Sequence, residues 1–84
     1  MKVKWCVEKD RVLKYQRGVS FEELLKSELI GIKENLKRPN QWHWFYWHEN
    51  YVWVIACIVA EEEVFLKTLY PSRKHTKQYF EGGL

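Results

Sequence analysis

Apolar residues have helical spacing in the early part of the chain and the spacing of strands after it. The segment from Val3 to Val7 has the pattern of a short opening strand. The lysine-rich segment from Glu8 to Gln16 carries a narrow apolar stripe that is typical of a helix. Gly18 follows it, and glycine readily takes the left-handed conformation in which helices end. We therefore predict a strand and then a first helix that ends at Gly18.

The four residues that begin at Ser20 predict the start of a second helix. The Ser20 hydroxyl can accept a hydrogen bond from the backbone N–H of Glu23, and the Glu23 carboxylate can reach back to the Ser20 N–H. Phe21 and Leu24 follow at a spacing that puts them on one helix face. We expect this helix to extend from Ser20 to about Glu28.

From residue 29 to Pro71 the pattern favours strands. The predicted strands are residues 29–36, 42–48, 51–59 and 64–70, with turns at residues 37–40, 49–50 and 61–63. The second and third of these strands are apolar on both faces, as is typical of central strands that are covered on each side. Pro71 ends the last strand because it has no N–H to donate. Ser72 can cap a final helix that continues to about Phe80.

This order of elements predicts an α+β domain. It comprises a short N-terminal strand, two helices, an antiparallel meander of about four strands and a C-terminal helix. Residues 1–84 are expected to form a single domain, because a chain of this length has little room for a second core. A hydrophobic content of 46% and an aromatic content of 17% supply the apolar surface for one compact core.

Strand alternation sorts the aromatic residues of the segment 42–48 into two sets. Trp42, Trp44 and Tyr46 are predicted on one face, and His43, Phe45 and Trp47 on the other. One of these faces is expected to exceed what a small core can bury and so to mark an interface.

Composition and spacing exclude several classes of protein. No apolar run reaches membrane-spanning length and no apolar signal core follows the N-terminal lysines, so we expect a cytoplasmic protein without membrane association. Cys6 and Cys57 have no CxxC spacing and are expected to be free thiols. His43 and His48 project to opposite strand faces and cannot share a metal. Since metal-ligand spacings, phosphate loops and nucleophile elbows are all missing, no metal or cofactor is expected.

The net charge of +3 is unevenly distributed. Basic residues collect in residues 1–17 and 67–77, whereas acidic residues collect at 22–28 and 61–63. If the two basic blocks converge on one face, they form an electrostatic footprint for a polyanion. The alternative is an ordinary solvated surface, and charge alone does not decide between the two.

The strongest functional signal is the stretch from residue 65 to 79. An apolar strand that contains Lys67 runs into a short helix with several cationic or titratable side chains: Arg73, Lys74, His75 and Lys77. RNA carries its own nucleophile, the 2′-hydroxyl. A protein that cleaves RNA therefore has only to position the backbone, transfer protons and stabilise the charge on the phosphorane.

These residue types match those tasks individually. Arg73 offers a planar guanidinium fork that fits phosphate oxygens. Lys67 lies within a strand, where a buried amine is costly unless it faces a cleft or a partner. His75 can act as acid or base near neutral pH, and Tyr70 or Tyr79 can stack on a base or donate a proton.

Structural roles remain open for the same side chains. A strand lysine such as Lys67 can extend its amine to the sheet edge. His75, on a solvated basic helix, is more often a surface residue than a catalyst. Arg73 can also pair with a carboxylate such as Glu22 or Glu23.

Several motifs occur in the order and spacing of a known family. They are Trp5 followed by Lys9, the sequence Gly-Val-Ser-Phe-Glu-Glu at residues 18–23, and a closing strand followed by Ser72-Arg73 and Tyr79. Over most of the chain they resemble the BrnT family, the toxins of type II toxin–antitoxin systems with a RelE-like ribonuclease fold. The stretch 65–79 is similar to small BrnT-like proteins that end in a lysine–threonine, proline–serine–arginine–lysine pattern.

The resemblance implies an α+β RelE-like fold and metal-independent cleavage of RNA that inhibits translation. It also implies a DNA-binding antitoxin that neutralises the toxin, represses the operon and links toxin copies into an oligomer. On this interpretation Arg73 binds the scissile phosphate, Lys67 stabilises transition-state charge, and His75 or Tyr79 transfers protons. The expected RNA-binding residues are basic: Lys14, Arg17, Lys74 and Lys77.

The chain departs from the family pattern at a few positions. The aspartate that usually follows the opening tryptophan is Cys6, and the helix asparagine is Leu13. The lysine–histidine pair before the glycine is Gln16-Arg17, and Arg17 supplies charge but no proton transfer near neutral pH. The competing hypothesis is a non-catalytic module of the same fold that binds nucleic acid or a partner protein through its basic face.

Overall fold

A five-stranded mixed sheet organises the chain, with helices on both of its faces. The structure is a computed structural model that describes every residue from Met1 to Leu84. The elements in chain order are β1 (Lys2–Trp5), α1 (Val7–Arg17), α2 (Phe21–Leu25), β2 (Glu28–Glu34), β3 (Gln41–His48), β4 (Tyr51–Ala60), β5 (Glu63–Pro71) and α3 (Arg73–Phe80). None of the helices is long and apolar enough to cross a membrane.

The α+β class is confirmed, but the expected four-stranded antiparallel sheet is wrong in strand number and order. The sheet has the order β1-β5-β4-β3-β2, and β1 pairs with β5 in parallel, from Lys2 opposite Glu63 to Trp5 opposite Leu66. The pairs β2–β3, β3–β4 and β4–β5 are antiparallel. A parallel pair needs a long connection between its strands. Here both N-terminal helices and three strands intervene, so nothing local in the sequence identifies the partner of β1.

The predicted helix start and stop signals hold, except at the end of α2. Gly18 ends α1 with a φ of 79°, and Ser20 forms the reciprocal capping box with Glu23. The Asp10 carboxylate also accepts a hydrogen bond from the Phe21 N–H at 2.9 Å, which ties the two helices together. α2 is shorter than expected because Glu28 already belongs to β2, where it pairs with Trp47.

The sheet separates two apolar clusters. On one face, which we call the α1–α2 face, Leu13 and Phe21 of the helices pack with Tyr46 and other buried strand residues. On the other, the α3 face, Phe45 and its buried neighbours pack with Tyr79 of α3. Since Phe45 and Tyr46 are adjacent in β3, they point to opposite faces, as the alternation predicted.

Both cysteines are free thiols, as expected. Cys6 is exposed, whereas Cys57 is buried in the cluster of the α1–α2 face. Burial raises the pKa of the Cys57 thiol to about 11. Cys57 is therefore protonated at neutral pH and acts as a small apolar side chain in this core.

A bulge in β5 sets the direction of Lys67. Ala56 pairs with Thr68 but Cys57 pairs with Leu66, so Lys67 is an extra residue in β5. Leu66 and Leu69 are both fully buried in the cluster of the α1–α2 face. Lys67 and Thr68 together oppose Ala56, which places them on the α3 face.

Candidate functional site

α3 covers only one end of its sheet face, the end next to the β3–β4 hairpin. The Thr76 hydroxyl accepts a hydrogen bond from the Val52 N–H at 2.9 Å, and the Tyr79 ring packs on Trp47 with 5.0 Å between ring centroids. Val52 and Trp47 flank the hairpin turn. The rest of the α3 face carries half-buried or exposed side chains and forms an open floor beside the start of α3.

One cross-strand set of residues crosses this open floor. Lys33 pairs with His43, His43 with Ala56, and Ala56 with Thr68, which follows the extra residue Lys67. We call these five residues the His43 row. The row therefore gathers two lysines and an imidazole on one sheet face, although they come from three different strands.

His75 sits next to this row, in the first turn of α3. Its ring packs on Phe45, with 4.6 Å between centroids. The Ser72 hydroxyl accepts a hydrogen bond from the His75 N–H at 3.1 Å and lies 2.7 Å from the ring Nδ1, with which it donates or accepts according to the tautomer. These contacts fix the ring and leave Nε2 without a hydrogen-bond partner in the protein.

The surroundings of His75 favour its neutral form. Burial lowers the pKa of the imidazole below its ordinary value, and nearby positive charges lower it further. These charges come, largest effect first, from Lys33, Lys74 and His43. No carboxylate pairs with any of these residues, because every ion pair of the protein lies elsewhere. A neutral imidazole among cations is suited to accept a proton close to a bound anion.

Arg73 begins α3 and is exposed. The alternative that it pairs with Glu22 or Glu23 is wrong, since those carboxylates bind Lys26 at 3.1 Å and Lys14 at 2.6 Å. The Arg73 guanidinium therefore keeps its fork of donors available for an external anion.

The remaining candidates on α3 and β5 lie at different distances from the open floor. Lys74 is exposed on α3 and acts on His75 through its charge, and Lys77 is exposed further along the helix. Tyr79 lies one turn beyond His75, with its ring against Trp47. Burial raises the pKa of Tyr70, which packs against the Phe45 cluster. The two tyrosines thus contribute to the packing of α3 on the sheet.

The two basic blocks of the sequence do not converge on one face. Lys14 and Arg17 belong to α1 and so lie across the sheet from His75. The Lys14 amine is already bound to the Glu23 carboxylate, which lowers the pKa of Glu23. Only the β1 part of the N-terminal block reaches the α3 face, where Lys4 binds Glu63 at 2.9 Å. The separation follows from the burial of Leu13, which holds α1 on its own face.

Sequence reasoning did not select His43 and Lys33 as functional residues. Alternation places His43 on the same strand face as Phe45, but no motif in the sequence links His43 to the basic residues of α3. The missing signal was the β2–β3 register, which puts Lys33 opposite His43. The β2–β3 turn at residues 35–40 determines that register, and its exact pairing is not encoded by strand periodicity.

The site is an open surface, and its donors do not suggest a metal centre. No group of three or more His, Cys, Asp or Glu side chains lies close enough together to hold a metal ion. The concave pockets of the surface lie at the β4–β5 turn, around Glu62, and not at the His43 row. An open floor lined by cations fits an extended polyanion better than a small molecule.

No protein-family model matches this chain, and a search of curated proteins gives no match either.

The cations around His75 generate a testable prediction about its pKa. Replacing Lys33 with methionine removes a positive charge and is expected to raise the pKa of His75 towards the ordinary histidine value of about 6.5. NMR titration of the His75 ring protons measures this value. Lys37→Met, at an exposed lysine in the β2–β3 turn, is the control and should leave the pKa unchanged.

An unchanged His75 pKa in Lys33→Met would show that Lys33 is too far away to act on the imidazole. The lowered pKa of His75 also makes the stability of the fold depend on pH. Because the folded-state pKa lies below that of the unfolded chain, the unfolded chain binds the proton more tightly. The contribution of His75 to folding is therefore lost as the pH falls below about 6.5.

Proposed function

We propose that this protein is a metal-independent endoribonuclease, the toxin of a type II toxin–antitoxin pair similar to the BrnT toxins. The observation that carries this proposal is the placement of two imidazoles, His43 and His75, among unpaired lysines on one open sheet face. The order of elements, with one strand and two helices before the antiparallel strands and a helix after them, supports a RelE-like fold.

The two imidazoles supply both proton transfers of RNA cleavage. Neutral His75 takes the proton of the 2′-hydroxyl through Nε2, and the resulting oxygen attacks the adjacent phosphorus. The bond to the 5′-oxygen of the next nucleotide breaks, and His43 acts as the general acid that donates a proton to that oxygen. The products are a 2′,3′-cyclic phosphate and a free 5′-hydroxyl. Ser72 acts as a positioning residue, because it fixes the His75 ring through Nδ1.

The cations stabilise the charge that develops on the phosphorane. Lys67 and Lys33 lie in the His43 row and are placed to approach the equatorial oxygens. Arg73 binds a phosphate through its guanidinium fork, and Lys74 extends the same positive surface. Because the phosphorane carries more negative charge than the substrate, these contacts lower the barrier and also bind the RNA.

The other residues expected to contact RNA have more peripheral places in this proposal. Lys77 guides the backbone along the exposed side of α3. Lys14 and Arg17 contribute only where the RNA extends around the sheet to the α1–α2 face. The second proton-transfer role goes to His43 and not to Tyr79, because Tyr79 is packed against Trp47.

The histidine roles predict the outcome of a cleavage assay. His75→Gln and His43→Gln are each expected to reduce kcat by about 10²- to 10⁴-fold, the usual contribution of a general acid or base. Initial rates on a short RNA with a fluorophore and a quencher measure the loss, with EDTA present throughout. His48→Gln is the matched control, since His48 lies on the opposite strand face and binds Ser27.

A His48→Gln rate that falls as far as the other two would indicate a general loss of folding. In that case circular dichroism of each variant shows whether that variant is folded. If the variants are folded and the His43 and His75 substitutions leave the cleavage rate unchanged, the acid–base assignment is wrong.

The cation roles predict a separate loss. Arg73→Ala and Lys67→Ala are each expected to lower kcat/KM by about 10- to 100-fold, because each removes a charge-assisted hydrogen bond to phosphate. The same RNA assay and a growth-arrest assay measure the effect, with Lys37→Ala as the control. If both variants retain full RNA cleavage and growth arrest, the catalytic hypothesis fails.

The unpaired cations also fit the alternative function, a non-catalytic module that binds nucleic acid or a partner protein. That module is favoured if purified wild-type protein binds RNA without any measurable cleavage, and if Arg73→Ala then weakens the binding. The same set of variants therefore separates the two functions.

The toxin assignment predicts an antitoxin. We expect expression of this chain to arrest bacterial growth and to inhibit translation. Co-expression of a small ribbon-helix-helix-type DNA-binding protein encoded by the neighbouring gene should restore growth. Colony counts and incorporation of labelled methionine measure the effect, and a gene without such a neighbour would contradict the assignment.

A further inference from the structure

Phe65 is an exposed aromatic residue in an interior strand. β5 lies between β1 and β4, so Phe65 is not at a sheet edge. Its neighbours Val64 and Leu66 are buried completely on the α1–α2 face, yet 44% of Phe65 remains exposed on the opposite face. α3 does not cover it, because α3 packs at the hairpin end of the sheet.

The ring of Phe65 is free on its outer side. The aromatic pairs and the cation–π contact of the protein all involve other rings, so no aromatic ring or cation stacks on Phe65. Its cross-strand partner Ile58 is half-buried and extends the apolar floor on one side. Together the two side chains form a small flat apolar patch on an otherwise polar part of the α3 face.

Cations flank this patch. Lys4 of β1 pairs with Phe65 in the sheet register, although Glu63 neutralises its amine. Lys67 follows two residues later in β5 and has no ion-pair partner. A protein partner that buries Phe65 would also have to bury or neutralise Lys67. A nucleic acid offers a base for the ring and a phosphate for the amine at the same time.

The patch is continuous with the candidate catalytic site. Phe65 and His43 lie on the same sheet face and are separated by two strand spacings, roughly 10 Å across the sheet. They are also offset by two residues along β4, since Phe65 opposes Ile58 and His43 opposes Ala56. A single strand of RNA with its scissile phosphate at His43 and His75 can therefore reach Phe65 with a nearby base.

We propose that Phe65 is the platform of a base-stacking subsite that holds an unpaired nucleobase of single-stranded RNA next to the cleavage site. This inference rests on the proposed ribonuclease function and adds the substrate class, because a base within a duplex cannot offer its face to the ring. The stacking face tolerates any base, while Lys67 holds the adjacent phosphate.

Binding of a short 2′-O-methyl oligonucleotide tests the subsite, because an RNA without free 2′-hydroxyls cannot be cleaved. Phe65→Leu keeps an apolar side chain but removes the aromatic face, and we expect affinity to fall by about 5- to 100-fold. Phe65→Trp should restore it. Tyr15→Leu is the control, since Tyr15 is an even more exposed aromatic residue on α1, across the sheet. Fluorescence anisotropy measures each affinity.

An abasic oligonucleotide of the same length separates stacking from phosphate contacts. Wild-type protein should bind it more weakly than the oligonucleotide with bases, and Phe65→Leu should bind both with nearly equal affinity. If Phe65→Leu binds RNA as tightly as wild-type protein, the stacking subsite is wrong and the proposed ribonuclease function is unaffected.

A failure of the proposed ribonuclease function would give a different experimental result. Wild-type protein that neither binds nor cleaves RNA would overturn both the function and the subsite. If Phe65→Leu leaves RNA affinity intact but changes the mass measured by sedimentation, Phe65 lies in a protein interface and the subsite is again wrong. Circular dichroism of the Leu and Trp variants confirms that the fold is retained.

Discussion

Burial on both faces of the central strands is the constraint on which the rest of the structure depends. β3 and β4 place apolar side chains at consecutive positions, so Phe45 and Tyr46 must be covered from opposite sides. The α1–α2 layer satisfies one face, and α3, with 8 residues, has to satisfy the other. A helix of that length crosses only one end of a five-stranded sheet. The open floor beside His75 is therefore a consequence of how the sheet is covered, and no loop has to form it.

Elements with a local physical cause could be predicted from the sequence. Gly18 and the Ser20 capping box determine the break between the first two helices, and the left-handed residues Glu49 and Asn50 form the hairpin turn. Elements that depend on distant pairing could not. The place of β1 beside β5 is decided by backbone groups far apart in the chain, and α2 ends early because Glu28 is drawn into the β2–β3 ladder.

The residues of the candidate site also differ in whether they could be predicted from local sequence or depend on distant pairing. Lys67 and His75 could be selected from their residue types and from their place in the last strand and the helix that follows it. The role of His43 depends on strand register, and the orientation of Lys67 on a bulge that has no local signature in the sequence. Helix periodicity does not say which sheet face a helix will cover, so the sequence does not reveal that Lys14 and His75 lie on opposite faces. Sequence patterns thus identified part of the set of chemical groups, and tertiary structure added His43 and Lys33 and decided which groups meet.

The cations around His75 have no carboxylate partners, and this bears on what the site binds. Three lysines elsewhere have carboxylate partners, in the pairs Lys4–Glu63, Lys14–Glu23 and Lys26–Glu22. Around His75, burial and then the nearby cations lower the pKa of the imidazole, and no carboxylate pairs with these cations. Mutual repulsion among these groups works against folding of the free protein. A bound polyanion would offset that repulsion and attract each cation. The repulsion that destabilises the free protein therefore favours formation of the complex.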